Sequence, residues 1–320
     1  MPQNTTLGLL IGLAGGLASA VLFYSAAHGS PALSAVLLLL TPLPTLLAAI
    51  GWGLGSALTA SLACALVMSA TVSLPSAIGT LVSLGVPALG VSYLAFLSRR
   101  IGDNPDVREW YPTGRLLTAI ALYGGALPIL LLPLSGGSYD ELRAPLADLM
   151  RRFSKEAATE LRLPPMSDQQ QEFAVSMMLK TLPGFMAGYW MIVFSVNTYL
   201  AARIAQASGH LVRDWPDLPA MKLPKDGLVV FGIGILAVFA TGVVSIAGIG
   251  MLGSFMVLFF FAGLALMHSL ARRRTIAVLL MTYAALLLAA PYTAMALILA
   301  GLVDTALDLK GRFGGPRPIT

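Results

Sequence analysis

Charge is what this 320-residue chain most lacks: Asp, Glu, Lys and Arg together make up 11% of it, and none occurs before Arg99. A segment of that length without a charge cannot be kept in solution by a soluble fold, and 57% hydrophobic residues with a mean hydropathy of +0.81 lie far outside the globular range. Cys64 is the only cysteine and sits within an apolar run, which excludes intrachain disulfides and cysteine-built metal sites and assigns it to packing. Only three histidines occur, His28, His210 and His268, without HExxH spacing, and no acid lies in the middle of an apolar run. Paired acids, a histidine-rich metal set or a nucleophile with its base are therefore missing, so neither an enzyme nor a cofactor is expected.

What is present is a series of apolar runs, each long enough to cross a hydrocarbon core, which takes ~20 residues. They fall at about 7–27, 32–51, 54–72, 76–97, 116–134, 182–204, 228–247 and 251–270. A further apolar stretch, 275–307, interrupted by Pro291, is either one long tilted helix or two short helices meeting near Pro291, and the basic tail favours the hairpin. The expected fold is all-α: one integral membrane domain over 1–320, a polytopic transmembrane helical bundle of about 9–10 membrane segments. Its parts are a four-helix portion at 1–98, the fifth and sixth spans at 116–204, and a C-terminal helical portion at 228–309. The N-terminus lacks the positive region of a secretory signal, so the first run reads as a retained helix.

The charges gather into five groups between the runs, around Arg99–Arg115, Asp140–Lys180, Arg203–Asp226, Arg272–Arg274 and Asp304–Arg317. Basic groups beside membrane spans mark the cytoplasmic face. This places Arg272–Arg274 and the tail carrying Lys310, Arg312 and Arg317 inside, predicts both termini cytoplasmic, and leaves the acid-rich second group outside. The net charge of +5 thus reports topology and gives no basic face for nucleic acid. Within the outer insert, 135–176, Leu142, Leu146, Leu149, Phe153, Ala157 and Leu161 recur at helical spacing among charges, which describes an extracytoplasmic amphipathic helix at the interface. Leu163-Pro164-Pro165 ends it, and Ser167 is placed to cap a new helix leading into the sixth span.

Several residues stand out against this background. Pro42 and Pro44 fall in the middle of the second span, where they remove backbone donors and kink or break the helix. Breaks at membrane depth need cover from protein or a watery cavity, and in transporters often lie at the substrate site. Tyr189, Trp190 and Asn197 give the sixth span the richest polar and aromatic set; a buried Asn either bonds a neighbouring helix or meets a ligand. His268 and Tyr283 complete the ligand-binding candidates. Gly248, Gly250 and Gly253 reproduce a dinucleotide-loop pattern, but between membrane spans and with no acid near, so the match is accidental. Glycines at 8, 12 and 16 line one face of the first helix and admit a close neighbour.

Gly263 to His268 followed by Arg272–Arg274, then Gly301-Leu302-Val303-Asp304 and Asp308-Leu309-Lys310, resemble the C-terminal signature of the YybS-like integral membrane proteins, a bacterial family grouped under a domain of unknown function. The Pro-rich second span with Gly51 to Gly55 is similar to that family's N-terminal part. The resemblance implies a helical bundle in a bacterial inner membrane, distantly similar to the substrate-binding S components of energy-coupling-factor transporters. It marks Gly263, His268, Gly301, Asp304 and Asp308 as motif residues, with no chemistry attached to them.

Two functions fit these readings. One is small-molecule transport or transporter-like substrate binding, with an outward cavity lined by the second, sixth and last helices. The other is a scaffold or assembly factor whose cytoplasmic loops dock a protein partner. The first predicts a cavity of a few hundred cubic ångströms and the second a solidly packed bundle. Lipid surrounds the chain in either case.

Overall fold

Apolar runs without internal charge can satisfy their backbone N–H and C=O groups in lipid only by forming helix. A computed structural model of the chain describes residues 5–101, 108–160, 164, 166–213, 216–273 and 275–312. Among these the first four runs become α1 (Thr5–His28), the pair α2 (Pro31–Leu40) and α3 (Pro42–Trp52), α4 (Leu54–Thr71), and the pair α5 (Leu74–Thr80) and α6 (Val86–Phe96). A two-stranded antiparallel ribbon, β1 (Ser98–Arg100) and β2 (Arg108–Trp110), then leads into α7 (Thr113–Leu131). The insert forms α8 (Arg143–Glu160), the sixth span α9 (Asp168–Ala207), and the remainder α10 (Asp226–Val238), α11 (Gly242–Arg273), α12 (Ala277–Leu288), α13 (Ala290–Leu307) and the single turn α14 (Leu309–Arg312). Of the residues singled out in the sequence, Leu161, Leu163, Pro165, Arg274 and Arg317 lie outside the described set.

Eight spans are long and apolar enough to cross a membrane, and α10 and α12 are shorter apolar helices, so the polytopic bundle stands. Its outer surface is what lipid requires: Leu66, Phe185, Phe239, Leu287 and Leu288 all project outward. The interior is centred on Phe194, Phe255, Phe259, Leu46, Met68 and Met191, with Cys64 fully buried among them.

Four boundaries differ from the sequence reading, each for a local reason. The stretch Gly248–Gly253, expected as a loop between spans, lies inside α11; the chain reverses earlier, at Gly242, whose φ of +61° is open to glycine at little cost. Second, α9 runs for 40 residues, ~60 Å at 1.5 Å per residue, about twice the hydrocarbon thickness. Ser167 caps it as expected, and does so within a capping box: the Gln170 N–H donates to Ser167 Oγ at 3.3 Å and the Ser167 N–H to Gln170 Oε1 at 2.8 Å. Third, the 275–307 stretch is two helices of 12 and 18 residues meeting at Ala289, two residues ahead of Pro291, which takes the first turn of α13 where a missing N–H costs nothing. Fourth, the fourth span contains a π-helical turn, Leu81–Gly85.

Pro87 follows that turn closely. Proline has no N–H, so it leaves without a donor both the carbonyl four residues back, Ser83, and the one five back, Val82, which a π-turn would otherwise engage. Both are satisfied from other helices: Trp190 Nε1 donates to Ser83 O at 2.8 Å and Tyr123 Oη to Val82 O at 2.6 Å.

α11 is the hub. Along it successive glycines let four different neighbours approach: Gly248 meets the backbone of α10 at Val238, Gly250 that of α7 at Gly125, Gly253 that of α9 at Gly184, and Gly263 that of α13 at Leu297. α1 and α4 meet in the same way, with Gly8, Gly12 and Gly16 against Ser56, Thr59 and Ala60, and Ser56 Oγ donating to Gly8 O at 2.6 Å.

The charged groups sort to two ends. Arg213 Nη2 donates to Tyr111 O at 3.2 Å, Arg272 pairs with Asp217 at 2.7 Å, and Lys222 with Asp308 at 2.6 Å, which joins the first, third, fourth and fifth groups at one end. The start of α1 belongs to the same end, because Gly8 lies against Trp52 and the Trp52 ring stacks on His210 with centroids 4.5 Å apart. At the other end α8 lies along the first part of α9, tied by the Arg143–Glu172 ion pair and by Ser154 Oγ accepting from the Met166 N–H at 2.9 Å. Leu149 and Phe153 face outward from α8, as an interfacial helix requires.

Candidate functional site

The basic end contains a cleft of about 930 Å³. Three helices form its walls: α7 through Leu116, Leu117 and Ile120, α9 through Ser195, Val196, Tyr199 and Ala202, and α11 through Phe261, Leu264 and Ala265. Ile50, Val91 and Ala95 close its far side, and the α9–α10 connection covers it with Leu211, Arg213, Pro216 to Pro219 and Met221. The cleft is mostly apolar along its depth, where α9 adds the hydroxyls of Ser195, Thr198 and Tyr199, and polar at its rim, where Thr113, Arg213, Asp217, His268, Arg272 and Tyr283 gather.

Among its described residues the covering connection has no long regular element, so its position depends on side chains reaching it from elsewhere. Asp217 accepts from Arg272 Nη1 at 2.7 Å. One 3₁₀ turn later, Met221 O accepts from Lys310 Nζ at 2.7 Å, and Lys310 also lies 3.0 Å from Asp304, with both side chains buried. The Lys310 N–H donates to Asp304 Oδ1 at 3.0 Å. Lys222 reaches Asp308, whose hydrogen bond from that lysine holds its carboxyl below the ordinary 3.8. Gly114 brings α7 directly against the Lys222 carbonyl; any side chain there would occupy the oxygen's place.

This gives the motif residues physical roles. Gly263 and Gly301 form the crossing of α11 and α13, each lying against the other helix's backbone. Asp304 receives the buried lysine. Asp308 takes the left-handed conformation that ends α13, φ +50°, and its Oδ1 accepts from the Gly311 N–H at 3.2 Å. His268 is the motif member on the cleft: Nδ1 faces Leu264 O at 2.9 Å and so carries the proton, which leaves Nε2 to accept from Tyr283 Oη at 3.3 Å.

The remaining sequence candidates lie elsewhere. Asn197 is fully buried and donates to Leu39 O and Val193 O, both at 2.7 Å, so it joins α9 to the end of α2 just ahead of the kink. Pro42 and Pro44 begin α3 and do not line the cleft, to which the second span contributes Ile50 alone. Trp190 is spent on the π-turn, and Tyr189 is half exposed, stacked on Phe185 with centroids 6.4 Å apart. The cleft is thus at the basic end and not at the outer end, and its helices are α7, α9 and α11 in place of the second, sixth and last together. Among the described residues no three His, Cys, Asp or Glu side chains converge on a metal position.

Sequence reading missed Arg213, Asp217 and the role of Lys310. The signal for Arg213 and Asp217 was the third charge group itself: Arg203 to Asp226 carries four basic and three acidic residues, more ionic capacity than a plain turn needs.

Compared with known proteins, residues 17–305 match the family described as "Predicted membrane protein (DUF2232)". No curated protein and no solved structure matches the chain. Since the match extends over nearly all the spans and ends just past Asp304, the chain belongs to this family of predicted membrane proteins.

Proposed function

We propose that this chain binds a small molecule in the basic-end cleft, as a transporter or the substrate-binding part of one. The observation that carries the reading is the cleft itself: about 930 Å³ between three membrane helices, near the upper end of the range of small-molecule sites. A scaffold would be expected to fill that space with side chains. Lys310, which a docking surface would leave free, is also engaged, buried under the α9–α10 connection. The resemblance to YybS-like proteins and to energy-coupling-factor S components agrees with a binding role in a bacterial inner membrane. The gathering of four basic groups at one end supports placing that end, with the starts of α1 and α14, in the cytoplasm.

Native mass spectrometry of the protein released from nanodiscs tests the proposal. The expected result is a bound small molecule on the wild type that is absent from Ala265→Phe, which fills the cleft from the α11 wall. Equal occupancy on both proteins, or none on either across the extracts tried, would refute the reading.

A further inference from the structure

We infer that the cleft takes a single-chain amphiphile with an anionic phosphate or carboxylate head, which replaces Asp217 as the partner of Arg272. The inference rests on the binding role proposed above and adds the ligand's chemical class. It follows from how the cleft divides. Most of the wall formed by α7, α9 and α11 is leucine, isoleucine, valine, alanine and phenylalanine, and of the α9 hydroxyls beside them Ser195 donates to Met191 Sδ and Thr198 to Phe194 O within their own helix, so the wall suits an alkyl or prenyl chain and gives little to a polar solute. Along α11 the lining runs from Phe261 to Arg272, ~16 Å at 1.5 Å per residue, so the wall accommodates an extended chain.

The rim has the opposite character. Its charged lining residues are Arg213, which donates to Tyr111 O, and the Arg272–Asp217 pair. Thr113 starts α7 without a side-chain cap and brings the positive end of that helix dipole to the same rim. His268 and Tyr283 add hydrogen-bonding groups there. Arg272 is about 60% exposed and holds Asp217 through one nitrogen, so its planar fork has donors left for a second oxygen acid. A cationic head would meet two arginines, and a neutral head would leave the Arg272–Asp217 pair undisturbed. An anionic head can take over the guanidinium. In doing so it releases Asp217, and with it one of the ties that hold the covering connection, so occupancy of the cleft and freedom of its cover are linked.

The experiment uses the full-length protein in nanodiscs, titrated with decyl phosphate, decanoate, decyltrimethylammonium or inorganic phosphate and read by native mass spectrometry. Decyl phosphate and decanoate are expected to bind, decyltrimethylammonium at least about tenfold more weakly, and inorganic phosphate alone not at all. Arg272→Gln should weaken decyl phosphate about tenfold, whereas Asp217→Asn should strengthen it by removing the competing carboxylate. Because these variants move in opposite directions, damage to the fold cannot imitate both. If the cationic and anionic amphiphiles bind equally, or Asp217→Asn weakens decyl phosphate, the head-group inference is wrong while the binding role stands, provided Ala265→Phe abolishes both. If inorganic phosphate binds as well as decyl phosphate, the alkyl chain is not recognised and the inference fails. If no amphiphile responds to Ala265→Phe, the inference and the binding role fall together.

Discussion

Lys310 lies 3.0 Å from Asp304 with both side chains buried, and the same ammonium donates to Met221 O at 2.7 Å. A buried pair contributes little net stability because desolvation offsets attraction, yet removing one partner leaves a bare charge and typically costs ~3–5 kcal/mol. Lys310→Met is therefore expected to lower the thermal midpoint in detergent severely. Asp304→Asn/Lys310→Met, which removes both charges, should recover much of that loss. A double variant no more stable than Lys310→Met would show that the lysine acts through Met221 alone.

Trp190 and Pro87 are coupled across two helices. The indole N–H supplies the hydrogen bond to Ser83 O that proline cannot. Trp190→Phe should cost ~1–3 kcal/mol, the penalty of an unsatisfied buried carbonyl together with some lost packing. Pro87→Ala restores an N–H within the helix, so the same Trp190→Phe change should cost measurably less in that background. Additive effects in this double-mutant cycle would mean that the proline does not orphan the carbonyl.

The helices were legible because an apolar run in lipid has almost no alternative to helix, and the two-end sorting of charge followed from basic groups at the span ends. The Ser167 cap was legible because its signal is local: a serine with Gln170 three residues on. The cleft was not, because it depends on which helices become neighbours. The wall residues Leu116, Val196 and Ala265 look like any other lipid-span residues until α7, α9 and α11 are brought together. Asn197 and the proline pair drew attention as polar or broken points at membrane depth. Leu39 O and Val193 O take the Asn197 amide nitrogen, while its buried Oδ1 meets no donor among the described residues, and sequence does not distinguish a nitrogen used in that way from one left for a ligand. His268 drew attention as a titratable group near a span end, and its contact with Tyr283 became evident only with α11 and α12 side by side.

The glycines of α11 separate packing from mere composition. A Cβ at Gly253 would collide with the Gly184 carbonyl of α9, whereas one at Gly232 of α10 meets nothing within 4 Å. Gly253→Ala should therefore push α9 from α11 and destabilise the bundle. Gly232→Ala should be neutral or stabilising by up to ~1 kcal/mol, the helix-propensity difference between the two residues. Thermal unfolding of the two variants side by side tests this; equal midpoints would mean that α9 and α11 do not approach as closely as described.

Asp308 sets the pH behaviour of the tail. Its carboxyl is held below the ordinary 3.8 first by the hydrogen bond from Lys222 and then by the Gly311 N–H. A carboxyl lowered in the folded state contributes stability that is fully present above the unfolded value and is lost as pH falls through the folded one. The pair is about half exposed, so the contribution is at most ~1 kcal/mol and shrinks in high salt. Asn is the replacement to use, because it tolerates the left-handed backbone that Asp308 adopts and so removes charge without strain. Asp308→Asn should thus lower the thermal midpoint slightly at neutral pH and match the wild type once the pH is well below 3.8. A gap between the two proteins that persists unchanged into that acidic range would mean that the tail is held by the backbone turn and not by the ion pair.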